Sequence, residues 1–333
     1  MRLMPWSESP DHYESLAVAL RALAAEHGCR VGYDAIVAAL GVGSLVAATK
    51  SDPIGNWFTF ARDPQLFETT ELLGLRLRAM HPPEAAARLS DSIEFPDHFR
   101  DSYVPLIERA LAHDQRVLAW RGWSPPRENL WGVIVGMSGQ SIVGHSLWHE
   151  GTPTVLSGAA HAVIVVEEHT GDTREPPIEP LVRLAARAMV TQWFGKWSAD
   201  PNVLTGGPAY EHWARIVGSS AVEPHDHLAA ARQNAFLARV LISSRRYLAR
   251  FLREAAREVT REWVEPLQQW SAACEEFVDR LRSWELSDGW YDALADEAGR
   301  QRAARAIASA AEVERAAASR IRQLLAPEEN ANV

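Results

Sequence analysis

Cysteine is scarce in this chain: 333 residues hold only two, Cys29 and Cys274. Two thiols so far apart build no disulfide framework, and a chain this size without one fits a reducing compartment, so a cytoplasmic protein is expected. Long apolar runs are missing too. No stretch approaches the roughly 20 apolar residues that cross a bilayer. The opening Met1-Arg2-Leu3-Met4-Pro5-Trp6 lacks the apolar core of a signal peptide. Excess positive charge is also absent. Lys and Arg number 34 against 43 Asp and Glu, a net charge of −9, which excludes the concentrated basic footprint of a nucleic-acid binder. Gly41-Val42-Gly43 lacks both the preceding strand and the Gly-x-Gly-x-x-Gly spacing of a nucleotide fold. No fixed-period repeat stands out. No membrane, nucleic acid, metal or cofactor is therefore expected, and oligomeric state is left open.

What is present reads as globular. Hydrophobic residues make up 47% and charged residues 23%, and the length suits one large domain or two ordinary ones. The 13 tryptophans are many. A buried indole needs a partner for its N–H, so clustered Trp marks either thick core packing or clefts and interfaces.

Apolar spacing predicts a helix over 12–27, stopped by Gly28, and a second over 33–40. Short strands are expected at 57–61, 75–80, 116–120, 130–135, 141–147 and 161–166, with helices at 68–73 and 100–113. The Pro-rich stretch 174–180 is the best boundary. Beyond it the pattern is helical, at 181–195, 208–217, 228–255, 257–283, 287–297 and 300–325. The expectation is an α+β fold: an α+β domain over 1–175, a helical region over 176–326, and a disordered tail over 327–333.

Three stretches resemble the papain-like cysteine peptidases, above all the bacteriocin-processing double-glycine peptidases and the amino-terminal domain of the butirosin-biosynthesis acyltransferases. Ser15-Leu16-Ala17-Val18-Ala19-Leu20, followed by Gly41-Val42-Gly43-Ser44-Leu45, is similar to the nucleophile helix and its glycine loop. Leu130-Trp131-Gly132-Val133-Ile134-Val135-Gly136 is similar to the strand that opens with the catalytic histidine. Thr205-Gly206-Gly207-Pro208-Ala209-Tyr210-Glu211-His212-Trp213 is similar to a helix start in their helical portion. The resemblance implies a papain-like core, a leading helix plus antiparallel sheet.

The departures fall on the chemistry. Where the family has a thiolate this chain has Ser15, and where it has a histidine, Trp131, whose indole cannot accept a proton. The orienting acid would fall at Gly144-His145, which holds no carboxylate, and no Gln for the oxyanion stands near Ser7-Glu8-Ser9. The resemblance therefore implies a non-catalytic binding or scaffolding protein. Trp131, Trp120 and Trp123 would line its cleft, with Gly43 and Glu314 as further ligand-facing positions. The occupant would be a peptide, a carrier-bound acyl group or a small molecule.

Rival chemistry remains. His161 also opens an apolar strand, so Ser15 with His161 and an orienting Glu167 or Asp172 is the enzyme alternative, an acyl- or aminoacyl-transferring or amide-cleaving relative. His145 and His149 have the i, i+4 spacing of zinc ligands on a helix, but the segment reads as strand and turn. Cys29 lies past a helix C-terminus and Cys274 amid Trp270 and Phe277, neither a setting for a nucleophile. Glu314 falls within the apolar stripe Ile307, Ala311, Ala318, Ile321 and Leu325, facing a cleft or pairing with Arg245 or Arg246. A third reading makes the chain a helical interaction protein, with 181–325 sufficient for a partner.

Overall fold

The structure is a computed structural model that describes residues 4–49, 63–80, 93–125, 128–148, 152–169, 175–198, 200–219 and 227–331. In chain order its elements begin α1 (Ser15–Glu26), α2 (Tyr33–Ala39), β1 (Ala47–Thr49), α3 (Asp63–Leu72), β2 (Leu75–Ala79), α4 (Phe95–His98), α5 (Val104–Ala112) and β3 (Arg116–Trp120). They continue with β4 (Trp131–Ser138), β5 (Ser141–Ser146), β6 (Thr154–Val155), β7 (Ala162–His169), α6 (Ile178–Phe194), β8 (Val203–Thr205) and α7 (Gly207–Ser219). The long helices α8 (His227–Ala255) and α9 (Arg261–Leu281), then α10 (Ser287–Ala295) and α11 (Glu297–Ala331), complete the chain. The fold is α+β, as the sequence predicts. The strand expected at 57–61 lies outside the described residues.

Two compact units emerge. One joins Met1–Ile36 to Phe67–Pro176; the other joins Val37–Leu66 to Pro177–Val333. The divide after residue 176 falls in the Pro-rich stretch. The segment 37–66 was not expected in the helical unit. It is held there because β1 pairs antiparallel with β8, Ala47 opposite Thr205, a two-stranded ribbon too short to read from the sequence. The third reading needs amending: 181–325 alone would lack one strand of that ribbon. α11 runs to Ala331.

In the first unit six strands lie in the order β2-β7-β3-β4-β5-β6, each pair antiparallel. β3 sits between β7 and β4 and reads as an unbroken apolar run after Arg116, as a strand buried on both faces must. Alternation sorts its neighbours into two layers. Val117 pairs with Ile134 and Val165, and Ala119 with Gly132 and Val163; these side chains form one cluster with Ile107 and Ala110 of α5. The opposite layer runs Ile164, Leu118, Val133, His145 across β7, β3, β4 and β5. No residue of α1 belongs to the α5 cluster, yet α1 packs on β4 and β5, so it covers that second face. α1 is apolar nearly all round and buried nearly all round. It ends as read: Gly28 at φ +83 lets Cys29 N–H reach the Ala24 carbonyl at 2.9 Å.

The second unit is helical. α9 packs on both α8 and α11, with α7 on α11 and α10 on α8. Its core holds Tyr210, Trp213, Leu241, Phe277, Trp290 and Ile307. Two buried indoles of this core find partners: Trp213 Nε1 donates to Asn234 Oδ1 at 2.8 Å and Trp290 Nε1 to the Trp284 carbonyl at 2.7 Å. Much of the tryptophan excess is therefore core. No helix among the described residues is long and apolar enough to cross a membrane.

Candidate functional site

Ser15 is the first residue of α1 and Trp131 the first of β4. The structure brings them together: the Trp131 backbone N–H donates to Ser15 Oγ at 3.0 Å. On the neighbouring strand Ser146 Oγ donates to the Trp131 carbonyl at 2.9 Å. Both backbone polar groups of Trp131 are thus held by serine hydroxyls at the strand's open end, where the ladder stops supplying partners.

The Trp131 ring belongs to a corner at the end of the sheet. Trp120 lies opposite it in register and Ala162 lies opposite Trp120 on the other side. The indole centroids of Trp120 and Trp131 are 6.4 Å apart, the His161 ring meets Trp120 edge-on at 5.9 Å, and Phe95 meets His161 at 5.1 Å. Trp120, Trp131 and His161 are all half-buried. Arg121 lays its guanidinium 4.6 Å from the Trp120 ring centroid. It does so from a left-handed backbone, φ +68, and Gly122 follows at φ +82. Gly122 has no alternative: a Cβ there would stand 2.6 Å from the Gly158 carbonyl oxygen, whose own N–H donates to Gly122 O at 2.8 Å. A non-glycine residue in this region costs about 1–3 kcal/mol, so the surrounding contacts hold Arg121 over the indole against a local preference. Nothing in the sequence announces that stacking beyond the Arg-Gly pair between two strands.

The described contacts of Ser15 and His161 lead in different directions. Arg121 Nη1 lies 3.3 Å from His161 Nδ1. Guanidinium only donates, so Nδ1 is the acceptor, which puts the ring proton on Nε2. A triad base needs the reverse, a free Nε2 and an acceptor at Nδ1–H. Glu167, offered as orienting acid, pairs instead with Arg76 and Arg78; Asp172 lies outside the described residues.

Three proposed ligand positions need correction. Trp123 is 1% exposed and lies on the other face of β4 from Trp131. A Cβ on Gly132 would be 2.5 Å from its Cζ2, and one on Gly144 2.8 Å from its Cη2. Its indole fills the space two glycines leave, and it belongs to the core beneath α5. Gly43 is buried in the helical unit, where an added Cβ would meet Leu248 Cβ at 3.2 Å and Val37 Cγ1 at 3.3 Å; close helix packing, not a ligand, accounts for it. Glu314 is 3% exposed and paired with Arg245, itself 0% exposed. The pair is neither at the surface nor open to a ligand.

Every nitrogen of the Arg245 guanidinium has an acceptor. Nε donates to Glu314 Oε1 at 2.6 Å, Nη1 to Leu45 O at 3.0 Å, and Nη2 to Ser44 O at 3.0 Å and Glu314 Oε2 at 3.1 Å. Tyr210 Oη donates to Glu314 Oε2 at 2.7 Å. Burial opposes the Arg245 charge, but Glu314 and Tyr210 beside it together outweigh burial and keep the guanidinium protonated. Burial also raises the Tyr210 phenol, with Glu314 adding to it. This is a latch for the Ser44-Leu45 backbone.

A groove of about 390 Å³ between α8 and α9 runs past Cys274. Its rim arginines are already paired, Arg246 with Glu285, Arg253 with Glu275 and Arg282 with Asp279. Cys274 is 2% exposed, and burial, then the Glu314 charge, push its thiol far above the usual range. Burial raises Cys29 as well. Neither thiolate is available as nucleophile or ligand. A thiol-exchange reagent at pH 8 is expected to modify both only after denaturant is added; prompt modification of either in the native protein would contradict this packing. His145, one of the two histidines at zinc spacing, lies in β5, and His149 falls outside the described residues. Among the described residues no group of His, Cys, Asp and Glu is arranged to hold a metal ion.

The fold and this corner define an α+β protein with an aromatic–cation cluster at one end of an antiparallel sheet. Compared with known family models and with characterised proteins, the chain matches none.

Proposed function

We propose that the first unit is a non-catalytic, papain-like binding module whose ligand rests against the ring faces of Trp131 and Trp120. One observation carries the reading: the Ser15 hydroxyl, at the nucleophile position of the resemblance, is engaged by the Trp131 backbone N–H. That contact supports the reading, because a papain-like alignment would bring the start of the leading helix against this strand; the occupants here are a hydroxyl and an indole. A serine nucleophile needs a base to take its proton. Indole cannot be that base, and the His161 ring has its Nδ1 turned to Arg121. What the corner offers instead is two partly open indoles with a cation stacked on one, which suits an acyl chain, a peptide or a flat small molecule.

Two measurements test this. A fluorophosphonate probe is expected to leave the protein unlabelled. Stoichiometric labelling that disappears in Ser15→Ala would overturn the proposal in favour of the alternative, an acyl-transferring or amide-cleaving enzyme using Ser15 with His161. Titration with dodecanoylglycine, followed by tryptophan fluorescence, is expected to saturate. Trp131→Ala should weaken it at least tenfold, the order expected when a stacking aromatic worth about 1.4 kcal/mol or more is lost; Ser15→Ala should leave it unchanged.

A further inference from the structure

His145 is the odd member of its layer. Ile164, Leu118 and Val133 precede it across the sheet, and an imidazole takes the next place. It is 0% exposed, and among the described residues neither Nδ1 nor Nε2 has a hydrogen-bond partner. A buried polar group left so costs free energy that an apolar side chain of the same shape would not. A backbone at this position could carry Leu or Phe at no such cost.

What covers His145 is a short extended segment. Trp6 stacks on the imidazole, ring centroids 5.7 Å apart and planes 20° from parallel. Met4, Trp6 and Glu8 are buried or half-buried while Pro5 and Ser7 are exposed, the alternation of an extended strap laid on a surface. Few bonds hold it. Glu8 Oε2 accepts the Trp148 backbone N–H at 2.9 Å and Trp6 Nε1 at 3.3 Å, and Arg21 Nη2 donates to the Ser7 carbonyl. No ladder hydrogen bond joins Met4–Glu8 to any named strand; among the described residues it is held by side-chain packing, the stack of Trp6 on His145 included, and by these contacts.

We propose that Met4–Glu8 is a detachable strap, released from the sheet when His145 takes up a proton. The reasoning is one of charge and space. A neutral imidazole tolerates a flat indole over it and an apolar layer beside it. An imidazolium with no acceptor at either nitrogen among the described residues is costly to keep buried, and the strap that stacks on it has no ladder hydrogen bond to a named strand. Charged groups around it offer no rescue. β4 and β6 carry no titratable side chain. On α1, Arg21 is turned to Ser7 O and Glu26 is paired with Arg116. On the strap, Glu8 is bound to Trp148 and Trp6. His12, on the way into α1, accepts from Ser9 N–H and stacks on Tyr33 at 3.8 Å. Consistent with this, burial alone lowers the His145 imidazole below its ordinary value of 6.5. With a lowered folded value, the closed form is at full strength above about 6.5 and is lost as pH falls below it.

A spin label on Ser7→Cys tests this in the full chain, because Ser7 is exposed and both native cysteines are buried. The label is expected to be immobile at pH 7.5 and to gain a mobile component reversibly between pH 6.5 and 5, with far-ultraviolet circular dichroism unchanged. His145→Phe should hold the label immobile throughout. Trp6→Ala should leave it mobile at every pH, and this variant keeps the test sharp should His145→Phe fail to fold. The proposal fails if the label stays immobile until secondary structure melts. It also fails if the same pH curve persists in His145→Phe, which would assign release to another group such as the Glu8 carboxylate, or if Trp6→Ala still shows an immobile-to-mobile transition.

Discussion

Glu314→Leu is expected to destabilise the protein by about 3–5 kcal/mol, the cost of leaving a buried charge without its partner. Arg245 would keep its guanidinium in a site with 0% exposure and lose both carboxylate oxygens. Tyr210 Oη would lose its acceptor as well. Urea unfolding should show a lower midpoint at unchanged slope, read by near-ultraviolet dichroism of the helical unit's indoles. Glu314→Gln, which keeps an acceptor, should recover part of the loss. The double change Arg245→Leu with Glu314→Leu removes the orphaned charge and should be milder than Glu314→Leu alone. It should not return to wild type, because the Ser44 and Leu45 carbonyls then lose their donors, each at about 1–3 kcal/mol. A Glu314→Leu effect below about 1 kcal/mol would place the pair among inconsequential surface bridges and contradict its burial.

Trp123→Ala is the second large effect, about 3–5 kcal/mol by the usual cost of deleting a buried aromatic. The indole covers two glycines on adjacent strands, so the cavity would open between β4, β5 and α5, and stiff neighbouring strands cannot close it. The outcome separates core from cleft. As a core residue, Trp123 controls thermal stability and leaves dodecanoylglycine affinity intact at temperatures where the variant is folded. As a cleft residue, it would do the opposite, and tenfold weaker binding with unchanged thermal midpoint would overturn the assignment.

Much of the fold was legible in local pattern. Strand β3 falls at 116–120 as predicted, and α8 and α10 come within two residues of their expected ends, because long apolar periodicity and Gly or Pro punctuation are properties of neighbouring residues. The ribbon of β1 and β8 was not legible. Three-residue strands carry no measurable period, and their pairing spans a sequence separation that only the folded helical unit makes short. The same limit explains the mixed fate of the ligand positions. Trp120, Trp123 and Trp131 look alike as letters. Register alone puts Trp120 and Trp131 side by side in one row, while the absence of side chains at Gly132 and Gly144 draws Trp123 to the other face.

The sequence by itself determined the α+β class, the change of character near residue 176, and the packing of Cys274 amid apolar neighbours. These follow from residue chemistry and short-range spacing. Only the tertiary structure decided which groups meet. It set the Trp131 amide on the Ser15 hydroxyl, turned His161 toward Arg121, and closed Glu314 over Arg245 beneath the Ser44-Leu45 backbone. It also buried His145 under Trp6 without a hydrogen bond. Such encounters depend on strand register and helix packing between residues up to about two hundred positions apart, where sequence proximity carries no information and the balance of burial, charge and hydrogen bonding selects the partner.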